Sequence, residues 1–122
     1  MKLLNEKSVL IVDDEVLLTG CLADILAAFG FKTKTCKTVK LALEEFIKEP
    51  TDFVVTDLIL PKESGLDLID SISEFNQQVK FVIMTGSDTD ILQDKTVQHD
   101  GRRHVKILAK PFAPQDLVDL LT

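Results

Sequence analysis

The sequence predicts an α/β domain built on a doubly wound, five-stranded parallel sheet with five helices. Two observations predict this class. Apolar residues switch repeatedly between short continuous runs, which are typical of buried strands, and positions at helical spacing. The runs are apolar throughout, as expected for parallel strands that are covered by helices on both faces. A chain of 122 residues fits one compact domain.

Five segments read as strands. The continuous apolar runs "SVLIV" (8–12), "DFVVT" (52–56) and "KFVIMT" (80–85) predict buried strands. "FKTKTC" (31–36) alternates in character, which is typical of a strand near a sheet edge, and "VKILA" (105–109) predicts a short final strand.

Helical periods fill the intervals between these strands. We expect the first helix to stop at Gly30, the second to run until Pro50, and the third to follow a loop that contains Gly65. A polar stretch, 86–103, gives only a weak helical signal, and the last helix is expected to begin at Pro114. The apolar stripe of the first helix comprises Leu18, Cys21, Leu22, Ile25, Leu26 and Phe29.

Right-handed crossovers limit how such a chain can wind. With the first strand central and the second at an edge, the strand order is 2-1-3-4-5, and the winding direction reverses between the first and third strands. Ligands of open α/β sheets bind at this reversal, outside the carboxyl ends of the strands.

Composition argues against several function classes. The net charge of −6 disfavours direct binding of nucleic acid by this domain. No apolar run approaches the ~20 residues of a membrane span, and the polar start "MKLLNEKS" does not resemble a signal peptide. We therefore expect a cytoplasmic protein without membrane contact. Cys21 and Cys36 fit no metal-ligand spacing and are predicted to be reduced thiols that act as small hydrophobes.

The reactive side chains follow the strand ends. Asp13 and Asp14 come after the first strand, Asp57 after the third, Thr85 ends the fourth, and Lys110 follows the fifth. All five therefore belong to one rim of the predicted sheet, where the ligand of such a fold binds.

These residue types suit a metal and a phosphoryl group. Asp13, Asp14 and Glu15 repel one another unless a cation is near. Mg²⁺ prefers such oxygen ligands, and its charge of about +2 with about +1 from Lys110 cancels the three acids. Asp57 can attack phosphorus as a carboxylate nucleophile, while the Thr85 hydroxyl can donate to a phosphoryl oxygen.

The motifs "IVDDE", "DLILPKESG", "MTG" and "KPF", in this order, resemble those of the response-regulator receiver domains of two-component signalling, which are flavodoxin-like and similar to chemotaxis regulators. The resemblance spans essentially the whole chain. It implies Asp57 as the phosphoacceptor. It also implies an Mg²⁺ site with Asp14 as a direct ligand, Asp13 acting largely through water, Asp57, and the backbone carbonyl of Ile59.

The resemblance also implies a switch. Thr85 would be its hydroxyl and Lys110 the partner of the phosphoryl group, with a cis Lys110–Pro111 bond. One departure concerns Ile107, which stands where the family usually has Tyr or Phe. An aliphatic side chain cannot reproduce the inward swing of an aromatic ring, so the usual readout is not carried over to Ile107.

The functional hypothesis is a single receiver domain over residues 1–122, without an output domain. Its phosphoryl donor would be a sensor histidine kinase or a histidine phosphotransfer protein. The domain would catalyse its own phosphorylation and the slow loss of the phosphoryl group. Slow loss is expected because Ile59, which with Ser87 flanks the path of the attacking water, cannot orient that water.

Two alternatives are of other classes. The first is a degenerate receiver that acts only as a docking module and is never phosphorylated, a reading supported by Ile107 and by the unusual 86–103 segment. The second is a small metal-dependent phosphatase, which would need a general acid beyond the carboxylates already assigned.

Overall fold

Strands and helices alternate along the chain in a computed structural model, which describes residues 7–86 and 105–122. The described elements are β1 (Ser8–Val12), α1 (Val16–Ala28), β2 (Lys32–Cys36), α2 (Val39–Lys48), β3 (Phe53–Asp57), α3 (Gly65–Phe75), β4 (Lys80–Thr85), β5 (Val105–Ala109) and α4 (Pro114–Leu121). The helical signal predicted for 86–103 lies outside the described residues apart from Gly86.

The five strands form one parallel sheet in the order β2-β1-β3-β4-β5, which confirms the predicted topology. Val12 at the end of β1 lies opposite Thr56 of β3. Asp57 lies opposite Met84 of β4, one residue before Thr85. This register brings the ends of the three central strands to one edge of the sheet.

The hydrophobic core has two layers, one on each face of the sheet. Alternate residues of the central strand β1 contribute to each layer, and all of Val9–Val12 are fully buried. One layer packs against α2 and α3, and includes Phe46, Leu68 and Ile72. The other packs against α1 and α4, and includes Leu22, Leu26 and Leu117. The strand that leads into the acids is therefore held from both sides.

Helix starts and stops follow local chemistry. Gly30, just after α1, has a φ of 95°, a left-handed conformation that ends the helix where the sequence predicted. The Ser64 hydroxyl accepts from the backbone N–H of Asp67 while the Asp67 carboxylate accepts from that of Ser64, a capping box that starts α3. Pro114 is the first residue of α4, as expected.

The two cysteines differ in environment. Cys36 is buried at the end of β2, and burial raises the pKa of its thiol, so it behaves as the predicted small hydrophobe. Cys21 is exposed, and its assignment to the buried stripe of α1 was therefore wrong. The core-facing positions of α1 are Thr19, Leu22 and Leu26, and a stripe that passes through them leaves Cys21 on its outer margin.

In the described parts of the chain, no helix combines the length and apolar character that a bilayer crossing requires.

Gly65 is required by a close backbone approach beneath the third strand end. Its N–H donates to the carbonyl oxygen of Leu58 at 2.7 Å. A Cβ at this position would lie 2.3 Å from the carbonyl oxygen of Asp57, far inside van der Waals contact. The first turn of α3 therefore packs directly under the residue predicted to accept a phosphoryl group.

We predict that Gly65→Ala lowers the free energy of unfolding by about 1–3 kcal/mol, the usual range for forced overpacking. The matched control is Gly20→Ala in α1, where no atom lies within 4 Å of the added Cβ. Removing a helix-interior glycine there should raise stability by about 0.5–1 kcal/mol. Urea unfolding followed by circular dichroism measures both values, and a Gly65→Ala protein as stable as the parent would contradict the steric argument.

Candidate functional site

Three carboxylates converge at the carboxyl edge of the sheet. Oxygen atoms of Asp13, Asp14 and Asp57 all lie within 4.8 Å of one another. Asp13 is fully buried, Asp57 is partly buried and Asp14 is exposed. The adjacency of β1 and β3 brings them together, because the residues that follow Val12 and Thr56 emerge side by side.

Lys110 is the cation of this cluster. Its Nζ donates to Asp13 Oδ2 at 3.1 Å and lies 3.5 Å from Asp57 Oδ2. The backbone N–H of Lys110 donates to the carbonyl oxygen of Thr85 at 2.7 Å, and the Lys110–Pro111 bond is cis. The turn that follows β5 thus directs the lysine towards the ends of β1 and β3.

The charge of Lys110 is secured by its neighbours. Burial opposes the ammonium form, but the hydrogen bond to Asp13 and the charges of Asp13 and Asp57 outweigh it and raise the pKa of Lys110 above its ordinary value. Lys110 is therefore a permanent positive charge at neutral pH.

For Asp57, in contrast to Lys110, the surroundings disfavour the charged form. Burial and the charge of Asp13 raise the pKa of the Asp57 carboxyl above its ordinary value. The Lys110 ammonium and the backbone N–H of Ile59, which donates to this carboxylate, act in the other direction without fully compensating. Burial first and the neighbouring Asp13 second therefore disfavour the ionised form of Asp57.

Asp13 also has a structural role. Its Oδ1 accepts from the backbone N–H of Glu15 at 3.0 Å, at the start of α1, and its own N–H donates to the carbonyl oxygen of Cys36 at 3.1 Å. Asp13 therefore stabilises the start of α1 with one carboxylate oxygen and binds Lys110 with the other.

The loop after β3 fixes the position of Ile59. The N–H of Leu58 donates to the carbonyl oxygen of Met84 at 2.9 Å, and Ile59 forms an isolated bridge with Ser64. The Ile59 side chain is 76% exposed at the rim of the site. It is a large apolar group beside the acids and offers no hydrogen bond to water.

The two remaining predicted residues lie farther along the sheet. Thr85 is buried at the end of β4, next to the strand that carries Asp57. Ile107 lies opposite Ile83 on β5, is half-buried, and packs against the core layer of α2 and α3. Its side chain is part of the edge of the core, as expected for an aliphatic residue.

The donor set fits a hard divalent cation. Within the described residues, the one group of side chains with metal-ligand geometry is Asp13, Asp14 and Asp57, and it offers oxygen atoms only. Mg²⁺ is held in proteins by one or two carboxylates together with other oxygen ligands. A cation bound there would also offset the charge of Asp13 that acts on Asp57.

Sequence reasoning gave no individual role to two residues at this edge. Glu15 Oε1 lies 3.2 Å from Lys110 Nζ, and Gly65 lies directly under Asp57. A glutamate at the first position before a helix, where shorter polar residues are preferred, was a signal for the former. A glycine directly after a capping serine was a weaker signal for the latter.

Comparison with known proteins agrees with this geometry. Residues 9–122 match the response regulator receiver domain family. The chain is 25% identical over 118 residues to the DNA-binding transcriptional regulator NtrC of Azospirillum brasilense, and 32% identical over 124 residues to the two-component response regulator PprB of Pseudomonas aeruginosa. These alignments cover 97% and 91% of this chain, but the chain spans only 24% and 41% of the two relatives.

A solved structure confirms the fold. The chain superposes on a CheY-like receiver domain protein from Methanospirillum hungatei with a TM-score of 0.84, at 21% identity, over 96% of this chain and 91% of the other. Because the family match spans nearly all of the sequence, the chain belongs to the response regulator receiver domain family.

Proposed function

We propose that the chain accepts a phosphoryl group on Asp57 in a Mg²⁺-dependent reaction and acts as a switch in two-component signalling. One observation carries this proposal. Carboxylate oxygens of Asp13, Asp14 and Asp57 lie within 4.8 Å of one another, and Lys110 Nζ lies 3.5 Å from Asp57 Oδ2. This arrangement supports the joint action of a nucleophile, metal ligands and a cation at the carboxyl edge of the sheet.

Phosphoryl transfer depends on positioning and on neutralising oxygen charge. An Asp57 oxygen would attack the phosphorus of a phosphohistidine, forming the acyl phosphate bond as the P–N bond breaks and the imidazole nitrogen recovers its electron pair. Lys110 would neutralise phosphoryl oxygens, and the Thr85 hydroxyl would donate to one of them. A sensor histidine kinase or a histidine phosphotransfer protein supplies this donor chemistry.

Asp13, Asp14, Asp57 and the Ile59 carbonyl would hold Mg²⁺. When bound, the ion supplies charge neutralisation for the phosphoryl oxygens. Asp13 would also connect the metal site to Lys110 and to the start of α1, because it accepts hydrogen bonds from both.

Phosphorylation would add a charge of about −1.5 to −2 beside Lys110. Thr85 would be drawn towards this charge, shifting the ends of β4 and β5. Since Ile107 packs as an aliphatic core residue, we propose a readout that depends on these strand ends rather than on rotation of an aromatic ring.

The net charge of the domain bears on the class of its downstream partner. The acidic net charge of −6 supports the hypothesis that this domain itself does not bind nucleic acid, although NtrC is a DNA-binding regulator. A cytoplasmic location and the absence of membrane contact remain predictions from the sequence.

The phosphoacceptor hypothesis predicts that acetyl phosphate with Mg²⁺ adds the mass of one phosphoryl group to the protein, and that Asp57→Asn removes the gain. Asp24→Asn, which changes an exposed carboxylate on α1, should leave the mass gain intact. Intact-protein mass spectrometry reads out all three proteins. An unmodified parent that also fails to bind beryllofluoride would instead favour the docking module.

We further predict that Mg²⁺ raises the melting temperature of the parent and has little effect on Asp57→Asn. A ligand at 100 times its Kd stabilises by about 2.7 kcal/mol. Because the pKa of Asp57 is raised in the folded protein, protons compete with the metal at a higher pH than for an ordinary aspartate. Mg²⁺ affinity should therefore fall as the pH drops through this raised value.

The sign for the metal-free protein is the reverse. Between the unfolded and the raised folded pKa of Asp57, the folded state binds more protons, so this residue's contribution to stability declines as the pH rises. Metal-free Asp57→Asn should accordingly be more stable than the parent at pH 7. Thermal melts in chelator measure this, and a less stable variant would show that the ionised Asp57 carboxylate does not destabilise the folded protein.

The exposed Ile59 side chain predicts slow autodephosphorylation, since it cannot orient an attacking water. Ile59→Asn should shorten the phosphoryl lifetime several-fold. Ile47→Asn on α2, which also replaces an exposed isoleucine (65% exposed), is the matched control and should not change it. Decay of the phosphorylated mass after donor removal provides the rates, and an unchanged or longer lifetime in Ile59→Asn would refute the hypothesis.

A further inference from the structure

Glu15 occupies an unusual position for a glutamate. It is the residue immediately before α1, yet its side chain makes no capping hydrogen bond to the helix. Its backbone N–H is instead satisfied by Asp13 at 3.0 Å. The carboxylate reaches across the site, where Oε1 accepts from Lys110 Nζ at 3.2 Å.

The Lys110 ammonium is thereby shared unequally. It makes hydrogen bonds to Asp13 at 3.1 Å and to Glu15 at 3.2 Å, whereas the nearest Asp57 oxygen is 3.5 Å away. Asp13 is fully buried and fixed by its contacts with α1 and β2. The Glu15 side chain is 63% exposed and ends a flexible stem. Of the two hydrogen-bond partners, Glu15 is therefore the one that can release the lysine.

We propose that Glu15 is a positioning residue that competes with the phosphoryl group for Lys110. The inference rests on the proposed function of Asp57. In the unphosphorylated state Glu15 holds the ammonium towards the β1 side of the site. For Lys110 to bind the oxygens of a group attached to Asp57, its hydrogen bond to Glu15 has to be exchanged for one to that group.

Competition has a defined consequence. Removing the Glu15 carboxylate leaves Lys110 free to bind the incoming anion, so affinity for a phosphoryl mimic increases. Exposed ion pairs contribute about 0.2–1 kcal/mol, so the expected gain is about 1.4- to 5-fold. A purely electrostatic effect of one fewer negative charge would also favour an anion, and the test must separate the two.

The test uses beryllofluoride as the probe, titrated at saturating Mg²⁺, with the parent, Glu15→Gln and Glu15→Asp. Aspartate keeps the charge but is one methylene shorter and cannot reach Lys110 in the same way. Competition predicts that both variants bind the probe about 1.4- to 5-fold more tightly, whereas a field effect predicts a gain for glutamine alone. Equal affinity in all three proteins would overturn the proposal, as would a gain confined to Glu15→Gln.

A double-mutant cycle gives the second readout. In a Lys110→Gln background, Glu15→Gln should no longer change the affinity for beryllofluoride. Urea unfolding in chelator, without metal or probe, should show Glu15→Gln to be destabilising with Lys110 present and neutral with Lys110→Gln. Additive effects in this cycle would contradict a direct Glu15–Lys110 pair.

The outcome is distinguishable from failure of the proposed function. If the parent does not bind beryllofluoride in an Asp57-dependent manner, the phosphoacceptor assignment is wrong and the proposal for Glu15 falls with it. If the parent binds and the Glu15 variants bind equally, only the role of Glu15 is overturned.

Discussion

The convergence of Asp13, Asp14 and Asp57 at one edge of the sheet is the constraint on which the rest of the site depends. Three carboxylates within 4.8 Å are held together because they follow adjacent strands of a rigid sheet. Lys110 partly offsets their charge, while burial and, after it, the charge of Asp13 raise the pKa of Asp57. The two core layers supply the rigidity that keeps the acids close. The clustered carboxylate oxygens therefore suit a hard cation.

Much of this arrangement could be predicted from the sequence. After Ser8, the buried run "SVLIV" (8–12) is apolar to its last residue, and the reactive acids follow directly at the strand end. The strand order then brings Asp13, Asp57 and Lys110 together, because parallel strands with this winding end at one edge of the sheet. The motif order adds the family, and the family match confirms it.

Other features depend on side-chain geometry that no periodicity encodes. The reach of Glu15 to Lys110 requires the actual separation of α1 from the turn after β5. The need for Gly65 arises from a backbone oxygen that comes close only after α3 packs. The sequence puts Cys21 on the apolar stripe of α1, but the residue is exposed. The apolar stripe covers a wider part of the helix surface than the face that packs against the sheet. In each case a tertiary distance, rather than a local preference, decides the outcome.

Asp57 connects the fold with the proposed chemistry. The protonation of its carboxyl reports how burial, Asp13 and Lys110 together act on it. Carbon-13 NMR of the labelled side chain would follow this group through a pH titration of the metal-free protein. The account predicts that Asp57 titrates above the ordinary range of an aspartate, and that Asp13→Asn, which removes the neighbouring charge, moves it back down. An Asp57 that titrates at or below the ordinary range in the parent would contradict the central claim.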